Sequence, residues 1–203
     1  MPKTVKKRQN TFVRQKQIVN AVRRLITKYG SEQITVRRIA KEIGISEGSI
    51  YRHFKCKRDI LLLLVDYIED NLIRDIEQSH VAGATQLEIL DSMLRNHLSS
   101  IEQRMGVSFH VIAEIVSLGD RKLNKKISHM LSNYLARIKD ILGEGINKGE
   151  IRKDIDLDTT ATLFFGMIQG LVTIWTLSHY SFSLEQKYLP LWNLIREAIS
   201  SRW

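Results

Sequence analysis

Residues 35–59 read TVRRIAKEIGISEGSIYRHFKCKRD, and their pattern predicts two short helices joined by a turn. Its first apolar residues recur at the spacing of one helix face: Val36, Ile39, Ala40 and Ile43. Thr35 stands where an N-cap hydroxyl belongs, and Gly44 follows the last apolar residue. Because glycine adopts a positive φ without steric cost, the pattern predicts a helix that ends in a tight turn.

A second short helix is predicted after the turn, with Ser46 as its N-cap and Ile50 on its buried side. Two short helices joined by a turn that contains glycine form a helix-turn-helix, whose second helix lies in the major groove of DNA. The exposed positions of this second helix are mostly donors suited to phosphates or base edges: Glu47, Gly48, Ser49, Tyr51, Arg52 and His53.

Composition extends the helical interpretation to the whole chain. The 203 residues include only two prolines, and no run alternates between apolar and polar residues at a period of two, so an all-α fold is predicted. Residues 1–60 carry 16 Lys and Arg against 4 Asp and Glu, a net of +12, whereas the remainder carries −3. This asymmetry predicts a head that binds a polyanion and a nearly neutral body. The single cysteine is typical of a reducing cytoplasm, where we expect the protein to act.

Residues 44–54, GISEGSIYRHF, resemble the core motif G-[VI]-S-x-G-x-[LI]-Y-x-H-F of the tetracycline-repressor (TetR) family. Lys57 and Leu61 follow at the family's offsets. Upstream positions also fit the pattern: Ala21, Gly30, Thr35, Val36, Ile39 and Ala40. The resemblance covers residues 14–61 and implies a three-helix DNA-binding head followed by a larger helical body. It implies phosphate contacts from Thr35, Tyr51 and Lys57, groove contacts from Ser46, Gly48, Ser49, Arg52 and His53, and flanking contacts from Arg37 and Arg38.

Residues 44–48 also spell G-x-S-x-G, the nucleophile motif of the α/β-hydrolases. That motif needs a buried strand before the serine, whereas charged residues interrupt the preceding apolar positions at a helical period. A serine hydrolase that uses Ser46 is therefore the least favoured alternative. The sequence has no H-x-x-x-H or Cys/His spacing for zinc and no phosphate-binding glycine loop, so no enzyme, metal site or cofactor is predicted.

The chain is divided into a flexible basic arm at residues 1–13, a helix-turn-helix domain at 14–56, and a helical effector-binding and dimerisation domain at 57–203. Helices are predicted at about 14–29, 57–79, 86–104, 107–118 and 121–148. The inward residues predicted for the first of these are Ile18, Ala21, Val22, Leu25 and Ile26, and those for the second are Ile60, Leu61, Leu64, Ile68, Leu72 and Ile76. Two capping boxes are predicted to open helices, at Thr85–Glu88 and Ser183–Gln186.

Residues 159–184 contain no charged side chain, which raises the alternative of a membrane span. Threonines recur through this stretch, and the flanks carry no basic anchors, so burial against a second copy of the chain is favoured and no membrane partner is predicted. In the TetR family the last two large helices pair with their twins. The resemblance therefore implies a homodimer whose interface contains Phe164, Gly166, Gly170, Leu171, Ile174, Leu191, Leu194 and Ile195.

A TetR-type body implies a small effector that controls DNA binding. Candidate contacts are aromatic and polar residues of the predicted body, each of which also fits ordinary core packing: His97, Phe109, His110, Glu114, Tyr134, Phe165 and Trp175. The body's layout is similar to the family's regulators of fatty-acid metabolism, which sense acyl-CoA. The sequence therefore predicts a ligand-responsive repressor of a palindromic operator, released by acyl-CoA or another lipophilic molecule. An adaptor that dimerises without binding DNA stays the alternative, although it leaves the basic head without a purpose.

Overall fold

The computed structural model describes residues 11–29, 35–80 and 82–201, and within these ranges it contains nine α-helices and no named strand. They are α1 Thr11–Tyr29, α2 Val36–Glu42, α3 Glu47–Tyr51, α4 Lys57–Glu77, α5 Gln86–Gln103, α6 Val107–Leu118, α7 Arg121–Asn147, α8 Leu157–Leu177 and α9 Leu184–Ile199. An isolated antiparallel bridge joins Ile151 to Ser200. The all-α prediction is confirmed.

The predicted basic arm lies largely outside the described residues, as does Gly30. The first helix begins at Thr11, three residues before its predicted start at Arg14. Ile26 is predicted to point inward, but its side chain lies outside the described ones.

The chain forms two compact units. The first takes the residues up to Tyr67 together with Phe109–Asn124. The second takes Ile68–Ser108 and the residues from Lys125 onward.

The core of the first unit follows the predicted helix faces. Fully buried side chains come from α1, α2, α3, α4 and α6: Ile18, Ala21, Val22, Ile39, Ile50, Ile60, Leu61, Val65, Val111 and Ile115. The turn between α2 and α3 is also as expected. The Thr35 Oγ1 accepts a hydrogen bond from the Arg38 N–H at 3.2 Å, and Gly44 adopts a φ of +69°. The Ser46 Oγ accepts from the Ser49 N–H at 3.3 Å and so caps the start of α3.

In the second unit, the packing is built from α5, α7, α8 and α9 around large buried side chains such as Leu90, Tyr134, Phe164, Trp175 and Tyr188. The capping box at Thr85 and Glu88 is present with both of its reciprocal hydrogen bonds. The second predicted capping box is wrong, because the Ser183 side chain makes no cap hydrogen bond and the fully buried Leu184 anchors the start of α9 instead. An N-cap that was not predicted, Asp156, opens α8 by accepting from the Thr159 N–H at 2.7 Å.

By length and composition alone α8 could cross a membrane, and no other helix among the described residues meets that test. One face of the helix, including Phe164, Ile168 and Trp175, is nevertheless buried in the core of the second unit. That burial is typical of a core helix.

A close helix contact in the second unit gives a stability prediction. A β-carbon at Gly145 would lie 2.6 Å and 2.9 Å from two carbons of Ile151, which is fully buried. We expect Gly145→Ala to lower the free energy of unfolding by about 1–3 kcal/mol, because overpacking outweighs the gain in helix propensity. Urea denaturation would measure it, with Gly143→Ala as the matched control, since a β-carbon there meets only one atom, at 4.0 Å. Equal stability of the two variants would contradict the prediction.

Candidate DNA-binding and effector-binding sites

The third helix of the first unit presents a polar face to solvent. Its buried Ile50 anchors α3 against the core, while Gly48, Tyr51, Arg52 and the following His53 are exposed. Half of the Tyr51 side chain is accessible. The groove-facing residues expected from the sequence are therefore available to a ligand, with Ser49 half-buried among them.

A short hydrogen-bond chain orders this face. The Ser46 and Ser49 hydroxyls lie 3.0 Å apart, and the Arg52 Nη2 donates to the Ser49 Oγ at 3.2 Å. That bond restrains the guanidinium. Its remaining N–H groups can still donate hydrogen bonds to base edges or phosphates. No other atom comes within 4 Å of a β-carbon built at Gly48, so the α3 backbone is open to close approach there.

The phosphate candidate Thr35 and the flanking candidates Arg37 and Arg38 are also exposed. Thr35 uses its hydroxyl oxygen as the cap of α2 and keeps its own O–H as a donor. The Arg38 guanidinium lies 5.3 Å from the centre of the Tyr29 ring, a cation–π contact that restrains it.

Lys57, the remaining phosphate candidate, has a partner within the first unit. Its Nζ lies 2.7 Å from the Oε1 of Glu114, and the neighbouring Arg58 Nη1 lies 3.3 Å from the Oδ2 of Asp120. Glu114 is among the effector contacts expected from the sequence. No local pattern could have signalled its link to Lys57, because the two residues are 57 positions apart.

The hydrolase alternative has no structural support at Ser46. The residue follows helix α2 rather than a strand, and its hydroxyl caps α3. No group of three or more potential metal ligands occurs among the described residues.

The effector candidates are divided between the two units. Phe109, His110 and Glu114 belong to the first, whereas His97, Tyr134, Phe165 and Trp175 belong to the second. Within the second unit His97 and Tyr134 are joined, with the His97 Nδ1 at 2.9 Å from the Tyr134 hydroxyl and the rings in an edge contact. The buried Nε1 of Trp175 has no acceptor among the described residues.

A polar cluster, which we define as Asn71, Asp75, Ser100 and Arg104, occurs in the second unit and was not predicted; its first two members are buried and the other two are half-buried. The Ser100 hydroxyl donates to the Asp75 Oδ1 at 3.0 Å, and the Arg104 Nη2 donates to the Asn71 Oδ1 at 3.1 Å. Asn71 and Asp75 are only 4% and 7% exposed. Asn71 and Asp75 are four residues apart on α4, next to its apolar stripe, and this spacing could have predicted that they lie together on one face of the helix.

Burial sets the protonation of the groups near this cluster. Burial raises the pKa of Asp75, against the hydrogen bond from Ser100 and the nearby arginines. Burial also raises the pKa of the Tyr134 phenol and, with the positive charge of Arg104, lowers the pKa of His97 to about 4. His97 is therefore neutral near pH 7. Tyr134 also lines a groove of about 1400 Å³ whose wall includes apolar residues of α4 and α7.

The neutral state of His97 predicts a pH dependence of stability. The unfolded chain binds a proton on this residue near pH 6.5 and the folded chain only near pH 4, so acid favours unfolding. The neutral His97 therefore contributes fully to the free energy of unfolding above pH 6.5. This contribution, at most about 3 kcal/mol, is lost as the pH falls towards 4. Urea denaturation of His97→Gln should show a flatter pH profile than the unsubstituted protein. Both proteins contain Asp75, whose raised pKa makes acid favour folding, so the difference between the two profiles isolates the effect of His97. Superimposable profiles would contradict the prediction.

A second surface, apolar rather than polar, lies on α8 and α9. Leu163, Ile174, Leu177 and Leu194 are each more than half exposed. Gly166 and Gly170 are exposed on the same side of α8, and β-carbons built there meet no other atom within 4 Å.

The other interface candidates are less accessible. Phe164 is fully buried against Trp192, with 6.1 Å between ring centres, and Leu171 is 7% exposed. Leu191 and Ile195 are half-buried.

Two family models match the chain. The model described as "Bacterial regulatory proteins, tetR family" matches residues 18–64, and "YsiA-like protein, C-terminal region" matches residues 55–198. Together they cover the first unit's helix-turn-helix and nearly all of the second unit.

Similar proteins include the fatty acid metabolism regulator protein of Bacillus subtilis (strain 168). It is 32% identical over 172 residues, which cover 83% of this chain and 86% of that protein. A similar solved structure is the crystal structure of the transcriptional regulator FadR from Bacillus subtilis in complex with stearoyl-CoA. Its sequence is 30% identical, and the structure superposes with a TM-score of 0.73 over 90% of this chain and 95% of that one. The nucleoid occlusion factor SlmA of Shewanella pealeana is 22% identical over 92% of this chain and 94% of its own.

Proposed function

The chain belongs to the TetR family of bacterial transcriptional regulators, and from this membership we propose that it represses transcription as a homodimer on a palindromic operator, from which a small lipophilic effector releases it. It is a regulator with a helix-turn-helix DNA-binding domain and a ligand-binding domain, and it is not an enzyme. A regulator that binds the chromosome acts in the cytoplasm, where we place it.

The observation that carries the DNA-binding proposal is the exposed face of α3 beside a strongly basic N-terminal region. Ile50 holds the helix in the core, while Arg52, tethered to Ser49, presents donors outward. The net charge of +12 in residues 1–60 supplies the attraction for phosphates. We assign Ser46, Gly48, Ser49, Arg52 and His53 to the groove and Thr35 and Tyr51 to the backbone, with Arg37 and Arg38 at the flanks. Lys57 lies where a phosphate contact is expected, but its ion pair with Glu114 competes with that contact.

A homodimer would fix the distance between two DNA-binding heads. Two heads related by a twofold axis bind half-sites roughly 34 Å apart or a multiple of that distance. The proposal is supported by the exposed apolar residues of α8 and α9. We assign Gly166, Gly170, Ile174 and Leu194 to the centre of the proposed interface and Leu191 and Ile195 to its edge. Phe164 and Leu171 support this surface from within the protomer.

The effector that we favour is a long-chain acyl-CoA. Its support is the 32% identity to a fatty acid metabolism regulator and the 30% identity to a regulator solved with stearoyl-CoA. The second unit offers polar partners for such a ligand beside its apolar core: the pair of His97 and Tyr134, the unsatisfied Trp175 Nε1 and the polar cluster.

The effector proposal is tested by adding stearoyl-CoA to the protein bound to its DNA, with free coenzyme A and stearate as matched controls. We expect stearoyl-CoA to release the DNA and the two controls to leave it bound. Release by none of the three would contradict an acyl-CoA effector while leaving the DNA-binding proposal intact. A thermal midpoint that rises with stearoyl-CoA would show that release follows from binding to the folded protein and not from unfolding.

A further inference from the structure

The first turn of α4 presents two consecutive cations, Lys57 and Arg58, at a helix start. The partial positive charge of a helix N-terminus favours anions there, so these side chains are well placed for a DNA phosphate. In the structure, however, both cations are paired with carboxylates of the same unit.

The ion pair between Lys57 and Glu114 is more shielded than the Arg24–Glu42 and Arg58–Asp120 pairs of the same unit. The Glu114 side chain is 14% exposed and that of Lys57 is 34% exposed, with 2.7 Å between Nζ and Oε1. In the Arg58–Asp120 pair, by comparison, the arginine is 50% exposed and the distance is 3.3 Å. A shielded pair is screened less by salt than an exposed one, so Glu114 is a strong competitor for Lys57.

Glu114 is the only charged residue in the sequence of α6, VSFHVIAEIVSL. It lies between Val111 and Ile115, which are both fully buried. A carboxylate at the edge of an apolar face costs solvation energy that its lysine partner offsets. Packing alone does not require a charge at this position, whereas a contact with Lys57 does.

The carboxylate and a DNA phosphate are rivals for the same ammonium group. A phosphate that contacts Lys57 would lie close to the Glu114 carboxylate, and the two negative charges would repel each other. We propose that Glu114 withholds Lys57 from the DNA backbone and so acts as a built-in restraint on the affinity of the head for DNA. The inference rests on the proposed DNA-binding function.

The test is a salt titration of fluorescence anisotropy with the full-length protein and a mixed-sequence DNA duplex. Glu114→Gln removes the competitor. It should tighten binding about five- to tenfold at 0.1 M salt and steepen the plot of log K against log[salt] by about 0.9, the value for one added phosphate contact. Adding Lys57→Gln to this variant should abolish both effects. Glu69→Gln is the matched control, because it breaks a Lys–Glu pair in the second unit, with Lys126, and changes the net charge equally.

Lys57→Gln alone gives an independent readout. If Glu114 already holds Lys57, the salt slope should stay unchanged in this variant, whereas a fall of about 0.9 would show that Lys57 reaches a phosphate and would overturn the inference. Equal effects of Glu114→Gln and Glu69→Gln would overturn it too. If the unsubstituted protein and all variants fail to bind even at the lowest salt, the proposed function itself fails. Circular dichroism of each variant verifies that it is folded.

Discussion

Gly170→Leu is expected to convert the proposed dimer into a monomer and to weaken binding to a palindromic operator about a hundredfold or more. A β-carbon at Gly170 meets no other atom of the protomer within 4 Å, so the new side chain should not disturb the protomer's own fold. In the proposed dimer it would instead hold the partner helix away. The loss of DNA affinity follows because each head then binds alone.

Light scattering coupled to size-exclusion chromatography measures the mass of the variant. Ile174→Glu should act in the same direction, because this isoleucine is 61% exposed on the same face. Ile73→Glu, at an isoleucine of α4 that is 49% exposed, is the matched control and should stay dimeric. A dimer mass for both Gly170→Leu and Ile174→Glu would place the interface elsewhere.

The second large effect is expected from Arg52→Ala, which should weaken operator binding by about 1–3 kcal/mol and reduce the discrimination between operator and scrambled DNA. The guanidinium is restrained by the Ser49 hydroxyl and faces solvent beside the open backbone at Gly48. A restrained donor loses less conformational entropy when it binds a base edge than a mobile one.

Arg137→Ala is the control for Arg52→Ala, since Arg137 is an exposed arginine of the second unit, 67% accessible. Anisotropy with both duplexes separates two roles of Arg52. A uniform loss on operator and scrambled DNA would make Arg52 a phosphate contact, and no loss on either would exclude it from the interface.

The features that were predictable from the sequence are those with local causes. Thr35, Gly44 and Ser46 act within a few residues of their own positions, so local sequence alone is enough to place the ends of α2 and the start of α3. The apolar stripes of α1 and α4 were equally readable, because their period identifies the buried face directly.

The features that were not predictable depend on tertiary packing. Phe164 and Ile174 both belong to a helix that is apolar on more than one face, so periodicity could not tell core from exposed surface. Lys57 and Glu114, and likewise Asp75 and Ser100, meet only because separate helices pack together. The ion pair of Glu114, a residue expected at an effector site, was unpredictable for the same reason.

We expect this chain to act as a sequence-specific DNA-binding regulator. The most direct test is fluorescence anisotropy of the purified protein with the intergenic DNA beside its own gene and with a scrambled duplex, across a salt series. We expect tight, selective binding to the intergenic DNA that falls steeply as salt rises. No binding to either duplex at low salt would contradict a DNA-binding role and would favour a dimeric adaptor that does not bind DNA.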